Sequence, residues 1–298
     1  MVASRVLIAG AAGLSLLLAG CGSDPDPRPS ASATSLLPGS GAVDPELAAR
    51  VPDEIRATGR LVVATGSHYE PMVYAGPDGA PTGFDVDLMT EIAGLLDLEL
   101  DLRQIPFAQI LPGVADGRYD VGMDGIFDTL ARQKTVDLVT YLRGGTQWIQ
   151  RTGDTVDPNN ACGRRVAAAA GSLQATVELP AKSKACETVG DKPIVIVTAA
   201  DQDAALNLLY NRKVDAVSAD AVVASVDVRD SAGKLVDAGT VFDSQPYGLP
   251  VVKGSPLGPV LQASVQRLID DGRLARIAEK WGLQDDTIDY SVINGATI

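Results

Sequence analysis

Cysteine and histidine are the residues whose chemistry reads most directly from spacing, and this chain has three of the first and one of the second. They are Cys21, Cys162, Cys186 and His68. No Cys-x-x-Cys occurs, so a tetrahedral zinc site lacks its ligands. No metal and no cofactor are expected. A Gly-x-Ser-x-Gly nucleophile elbow is also missing. The 38 Asp and Glu residues leave acid–base chemistry open, because it needs no more than a positioned carboxyl with a tuned pKa. No constellation singles one out. Residue types alone do not choose between binding and catalysis.

The context of Cys21 is more specific. Arg5 is the single charge in the first twenty residues, an apolar run covers 6–18, and Leu18-Ala19-Gly20 precedes Cys21. A charged start, a short apolar core and small residues form a secretory signal, too short for a good membrane span. The Cys directly after Leu-Ala-Gly resembles the bacterial lipoprotein signal. That likeness implies removal of residues 1–20, acylation of Cys21 and anchoring to the outer face of the cell membrane. Residues 21–53 are rich in Ser, Pro, Ala, Gly and Asp without apolar periodicity. Such a segment buries too little surface to offset its ordering entropy, and a flexible tether is expected. Export leaves Cys162 and Cys186 as an even pair in an oxidising compartment, which predicts a disulfide.

Elements that could position a site begin near residue 54, and 54–298 is long enough for two lobes. The formal charge is −13 with no Lys/Arg block, which argues against a nucleic-acid partner and a polybasic membrane patch. Apolar runs at 61–65, 98–102 and 119–123 read as strands, and helical spacing marks 84–96 and 109–115. Strands at 165–170, 193–198, 214–218 and 249–252 alternate with helices at 201–210, 220–228, 257–269 and 274–281. Ser172 is a candidate N-cap, and Pro180 should kink or end the helix that follows it. Alternating strands and helices predict an α/β fold with mostly parallel sheets. A cleft between lobes is a common ligand site.

Four stretches together resemble the bacterial extracellular solute-binding proteins of the polar amino-acid type. They are Gly83-Phe84-Asp85-Val86-Asp87-Leu88, then Gly117-Arg118-Tyr119-Asp120-Val121-Gly122-Met123, then Asp128 through Asp137, and finally Glu279-Lys280-Trp281-Gly282. The resemblance covers residue 56 to the end. It implies the class II periplasmic-binding-protein-like fold, with lobe 1 at 54–142 plus 248–298 and lobe 2 at 146–243. Two hinge crossovers would then lie at Gly144-Gly145 and Gln245-Pro246. It makes Arg132 the cation for a ligand α-carboxylate, a role suited to a planar guanidinium. It makes Asp220 the carboxylate for the α-ammonium, although helix capping is the ordinary use of such an Asp. Gly171 and Ser172 match a strand-to-helix turn whose N–H groups meet the carboxylate. Tyr69 and Phe107 match aromatic positions around the ligand side chain, and Gly125 a carbonyl facing the ammonium.

The chain departs from the family pattern at three places. Phe127 replaces a Ser or Thr, Gly66 an acidic residue at the pocket floor, and Ala169 occupies another specificity position. Asp124, Asp128, Glu70 and His68 are near enough in sequence to compensate. The resemblance implies a monomeric, non-catalytic binding component of an ABC importer, working with permease and ATPase subunits. A sensor domain and a prephenate- or arogenate-dehydratase-like enzyme on the same fold remain as alternatives.

Overall fold

A computed structural model describes residues 34–37 and 39–297. The signal segment and Cys21 lie outside the described residues. In chain order the elements are β1 (Thr34–Leu37), α1 (Pro45–Ala48), α2 (Asp53–Thr58), β2 (Arg60–Thr65), β3 (His68–Tyr69), β4 (Val73–Ala75) and β5 (Pro81–Thr82). Then come α3 (Phe84–Leu95), β6 (Glu99–Gln104), α4 (Ile110–Ala115), β7 (Val121–Gly122), β8 (Val136–Arg151) and β9 (Arg165–Ala169). The chain ends with α5 (Leu179–Thr188), β10 (Val195–Ala199), α6 (Gln202–Tyr210), β11 (Ala216–Asp220), α7 (Ala221–Asp230), β12 (Leu235–Val252), α8 (Leu257–Asp270) and α9 (Arg273–Trp281).

Nine strands form one mixed sheet in the order β1-β6-β2-β7-β12-β8-β11-β9-β10, and β3-β4-β5 make a small second sheet. The strands β6, β2 and β7 run parallel at one end, and β11, β9 and β10 at the other. Helices flank both parallel groups, so the fold is mixed α/β, as expected. The long β8 and β12 pair antiparallel from Val136–Val252 to Arg151–Leu235 and join the two halves. Gly144, Gln245 and Pro246 are not free links but rungs of this ribbon, with Gly144 paired to Gln245, and Gly145 falls in the register shift between Phe242 and Gln245. A Cβ on Gly144 would lie 2.5 Å from the Tyr247 hydroxyl oxygen. The glycine there makes room for a ring as well as relaxing the backbone.

Apolar burial divides along the same ribbon. One large cluster unites residues of 47–142 with residues of 247–283, and two others lie within 148–242. Leu173, Val222 and Val223 come from the second half but pack into the first cluster, so the halves touch. The first and last of the four family-like stretches also meet. Lys280 Nζ and Trp281 Nε1 both donate to Asp87 Oδ2, at 2.6 and 2.7 Å, which fastens α9 to α3. Cys162 and Cys186 form the expected disulfide, with Cα atoms 5.6 Å apart.

Two expectations are corrected. Residues 39–52, read as flexible tether, pack on the first half instead. Leu47 and Val51 are buried, and the Ser40 N–H donates to the Thr90 carbonyl. Gly39 and Gly94 make this possible, since a Cβ on Gly39 would sit 2.5 Å from the Gly94 nitrogen. Backbone-to-backbone approach of this kind needs glycine, not an apolar repeat. Pro180 does not end its helix. A π-helical turn at Gln174–Glu178 leads straight into α5, with Pro180 in its first turn, where a missing N–H is tolerated. No described helix is long and apolar enough to cross a membrane.

Candidate binding site

A cavity of 420 Å³ lies where the two halves meet. Its walls come from the ends of β2, β6, β9 and β11 and the loops after them, the usual position for a ligand in open α/β sheets. Tyr69, Phe107, Gly125, Phe127, Arg132, Ser172 and Asp220 line it. Gly171 does not. It sits behind the wall, and its carbonyl accepts from Arg132 Nη2 at 2.8 Å.

Arg132 opens a 3₁₀ turn after the loop 123–131, and the Thr129 hydroxyl accepts its N–H at 3.2 Å. Its guanidinium Nη1 donates to the Phe127 carbonyl at 2.6 Å. One side chain therefore ties both halves together. Burial lowers its pKa to about 10, which leaves it cationic at neutral pH.

Asp220 distinguishes capping from ligand binding. It stands at the N-cap of α7, yet its side chain makes no capping hydrogen bond. The carboxyl turns inward, 2 % exposed. Oδ1 accepts from Gln174 Nε2 at 2.9 Å, and Oδ2 accepts from the Tyr247 hydroxyl at 3.1 Å. Burial raises its pKa to about 6, against the pull of Tyr69, Gln174, Tyr247 and Arg132. Ser172 shows the opposite behaviour. Its Oγ accepts the Ala175 N–H at 3.1 Å, an ordinary cap.

The apolar wall continues into the core. The Phe127 ring stacks on Tyr247 with centroids 4.5 Å apart, and Tyr141 and Phe84 extend the column. Phe127 thus backs the Asp220 partner Tyr247 while its carbonyl holds Arg132. Tyr69 and Phe107 are half-buried at the cavity edge. Burial, then Asp220, pushes the Tyr69 hydroxyl well above its usual pKa, so it remains a neutral donor. Gly125 has φ +58° and donates its N–H to Asp85 Oδ2 at 2.9 Å. Asp85, in the first turn of α3, is raised to about 6 by burial.

The four possible compensators separate cleanly. Asp128 accepts from Gln133 Nε2 and the Ala296 N–H and lies off the cavity. Glu70 faces outward to Arg229 at 3.5 Å. His68 lines the cavity but is exposed and paired with the Ser67 hydroxyl at 2.8 Å. Asp124 lines the cavity and is buried. Gly66 and Ala169 line it too. Gln174 and Tyr247, the partners of Asp220, were not among the sequence candidates. No local pattern marks them, because they reach Asp220 from 46 and 27 residues away. Among the described residues no group of His, Cys, Asp and Glu could hold a metal.

Two α/β halves on a shared ribbon, with a polar and aromatic cavity between them, define a solute-binding architecture. The chain belongs to the bacterial extracellular solute-binding proteins, family 3, whose model matches residues 61–284. It is 32% identical over 252 residues to an arginine-binding protein of Corynebacterium glutamicum, covering 84% of this chain and 83% of that one. A solved ancestral arginine-binding protein bound to arginine superposes with a TM-score of 0.69 at 26% identity, covering 75% of this chain and 98% of that one. A cyclohexadienyl dehydratase of Pseudomonas aeruginosa is 35% identical over 94 residues, 31% of this chain and 35% of the dehydratase. The relatives that match most of the chain are amino-acid-binding proteins rather than enzymes.

Proposed function

We propose that this chain captures an α-amino acid in the interlobe cavity as the substrate-binding component of an ABC importer. Arg132 takes the α-carboxylate, and Asp220 takes the α-ammonium. Tyr69 and Phe107 hold the side chain, Phe127 forms the back wall, Gly125 and Ser172 complete the frame around the zwitterion, and Gly171 steadies Arg132 from behind it. Lobe 1 is 54–142 plus 248–298, extended by the packed segment from residue 39, and lobe 2 is 146–243. A lipid on Cys21 holds the monomer at the outer face of the membrane, where the closed form meets the permease and its ATPase.

The observation that carries this reading is the inward turn of Asp220, a carboxyl that makes no capping bond to its helix and shares a cavity with the half-buried Arg132. Burying both charges stabilises nothing by itself. A zwitterion that pairs with each of them recovers the cost. Closure follows because the ligand makes both contacts at once only when the halves meet, and only such differential contact shifts the equilibrium.

A thermal-shift screen of the purified protein against amino acids tests the proposal, with arginine first because relatives are named for it. A ligand at a hundred times its Kd stabilises by about 2.7 kcal/mol. The shift should vanish in Arg132→Ala. No shift with any α-amino acid would overturn the reading.

A further inference from the structure

Once a zwitterion is matched to Arg132 and Asp220, one carboxyl of the cavity is left over. Asp124 is 3 % exposed, lines the cavity, and its Oδ1 has no hydrogen-bond partner although it is buried. Buried polar atoms are seldom left this way, and an orphan at a site calls for an explanation. No ion pair holds it, since the cavity's one guanidinium already donates to two carbonyls. Its charged neighbours are Asp85 and Asp220, both of the same sign.

The position is built for this side chain. A Cβ on residue 66 would fall 2.2 Å from Asp124 Oδ2, so Gly66 vacates the floor of the cavity and the Asp124 carboxyl fills it. The backbone of Asp124 has φ +145°, a conformation that L side chains rarely adopt. Tyr69 and Phe107 stand beside it on the same cavity. Aromatic faces favour a cation, and a planar guanidinium above all.

We propose that Asp124 is the specificity-determining residue of the cavity, and that the ligand is an amino acid whose side chain ends in a cation. A cationic terminus supplies the partner Oδ1 lacks and balances the third acidic group. A neutral side chain would leave that carboxyl buried and unpaired. The inference rests on the amino-acid reading above, and its test separates the two.

Titration calorimetry of the purified protein with L-arginine, L-lysine, L-citrulline and L-glutamine is the experiment. Citrulline matches arginine in shape and lacks its charge. Arginine should bind more tightly than citrulline by about 30-fold or more, the lower end for a buried charge pair. Asp124→Asn, which keeps the volume, should bring the ratio close to one by weakening arginine binding. Equal affinity for arginine and citrulline in the unmodified protein would overturn the inference and leave the amino-acid reading intact. So would a ratio that survives in Asp124→Asn. Failure of all amino acids to bind would overturn both.

Discussion

Replacing Asp220 by Asn separates a ligand-binding carboxyl from a structural one, because the two roles predict opposite signs. Asn keeps the size and can still accept from Gln174 Nε2, while its amide donates to the Tyr247 oxygen in place of the present 3.1 Å bond. The helix loses no cap, since Asp220 caps nothing. Burial lifts the carboxyl from 3.8 to about 6, and each pKa unit corresponds to about 1.4 kcal/mol. Ionised Asp220 therefore costs the folded protein on the order of 1–3 kcal/mol at pH 7.5. Asp220→Asn should raise Tm in the absence of ligand by several degrees, at roughly 2–4 °C per kcal/mol. Affinity for the amino acid should fall by about 2–5 kcal/mol, because the ammonium loses its charged partner. Differential scanning calorimetry and titration calorimetry on the same preparation measure both. A lower Tm with unchanged affinity would refute the reasoning and make Asp220 a structural residue.

Two further outcomes follow from charge and covalent structure. Asp85 and Asp220 are raised to about 6, and Glu178 and Asp227 to about 7, in each case by burial first. Between about pH 4 and pH 7 the folded chain holds protons that the unfolded chain has released, so stability falls as pH rises through that window. Tm without ligand should be higher at pH 5 than at pH 8, whereas ligand affinity should weaken as pH drops below about 6 and Asp220 protonates. A Tm that climbs steadily from pH 5 to pH 8 would contradict this. Asp44, Asp137, Asp215, Asp230 and Asp271 are lowered, and their contribution disappears only below about pH 4. Replacing Cys162 and Cys186 together by Ser, a pair 24 residues apart, should cost about 3 kcal/mol in the chain-entropy model without altering ligand affinity. Chemical denaturation checks the first part, and calorimetry the second.

The parallel units were legible in the sequence because each is a short apolar run followed by a helical repeat. The ribbon was not. β12 carries Gly239, Pro246, Gly248 and Pro250, residues that read as breaks. It absorbs them through register shifts between Ala238 and Phe242, Phe242 and Gln245, and Tyr247 and Gly248. The segment 39–52 was misread because what holds it, close approach at Gly39 and Gly94 and the isolated buried residues Leu47 and Val51, makes no periodic apolar pattern. At the site, the family-like stretches pointed to seven residues that line the cavity and to Gly171, which does not. They could not choose among Asp124, Asp128, Glu70 and His68, since side-chain direction depends on partners as distant as Ala296 and Arg229.

The paired β8 and β12 ribbon has a mechanical consequence. Two strands hydrogen-bonded along their length act as a flexure, not as a pair of pivots. Bending is shared over many rungs, and the restoring force comes from the ladder itself. The softest stretch is where the ladder is already interrupted, between Ala238 and Gly248 on β12. The opposing stretch of β8 includes Gly144, pressed against the Tyr247 ring. Tyr247 also holds Asp220. Curvature of the beam and placement of the Asp220 carboxyl, proposed above to take the ammonium, are therefore linked through one side chain.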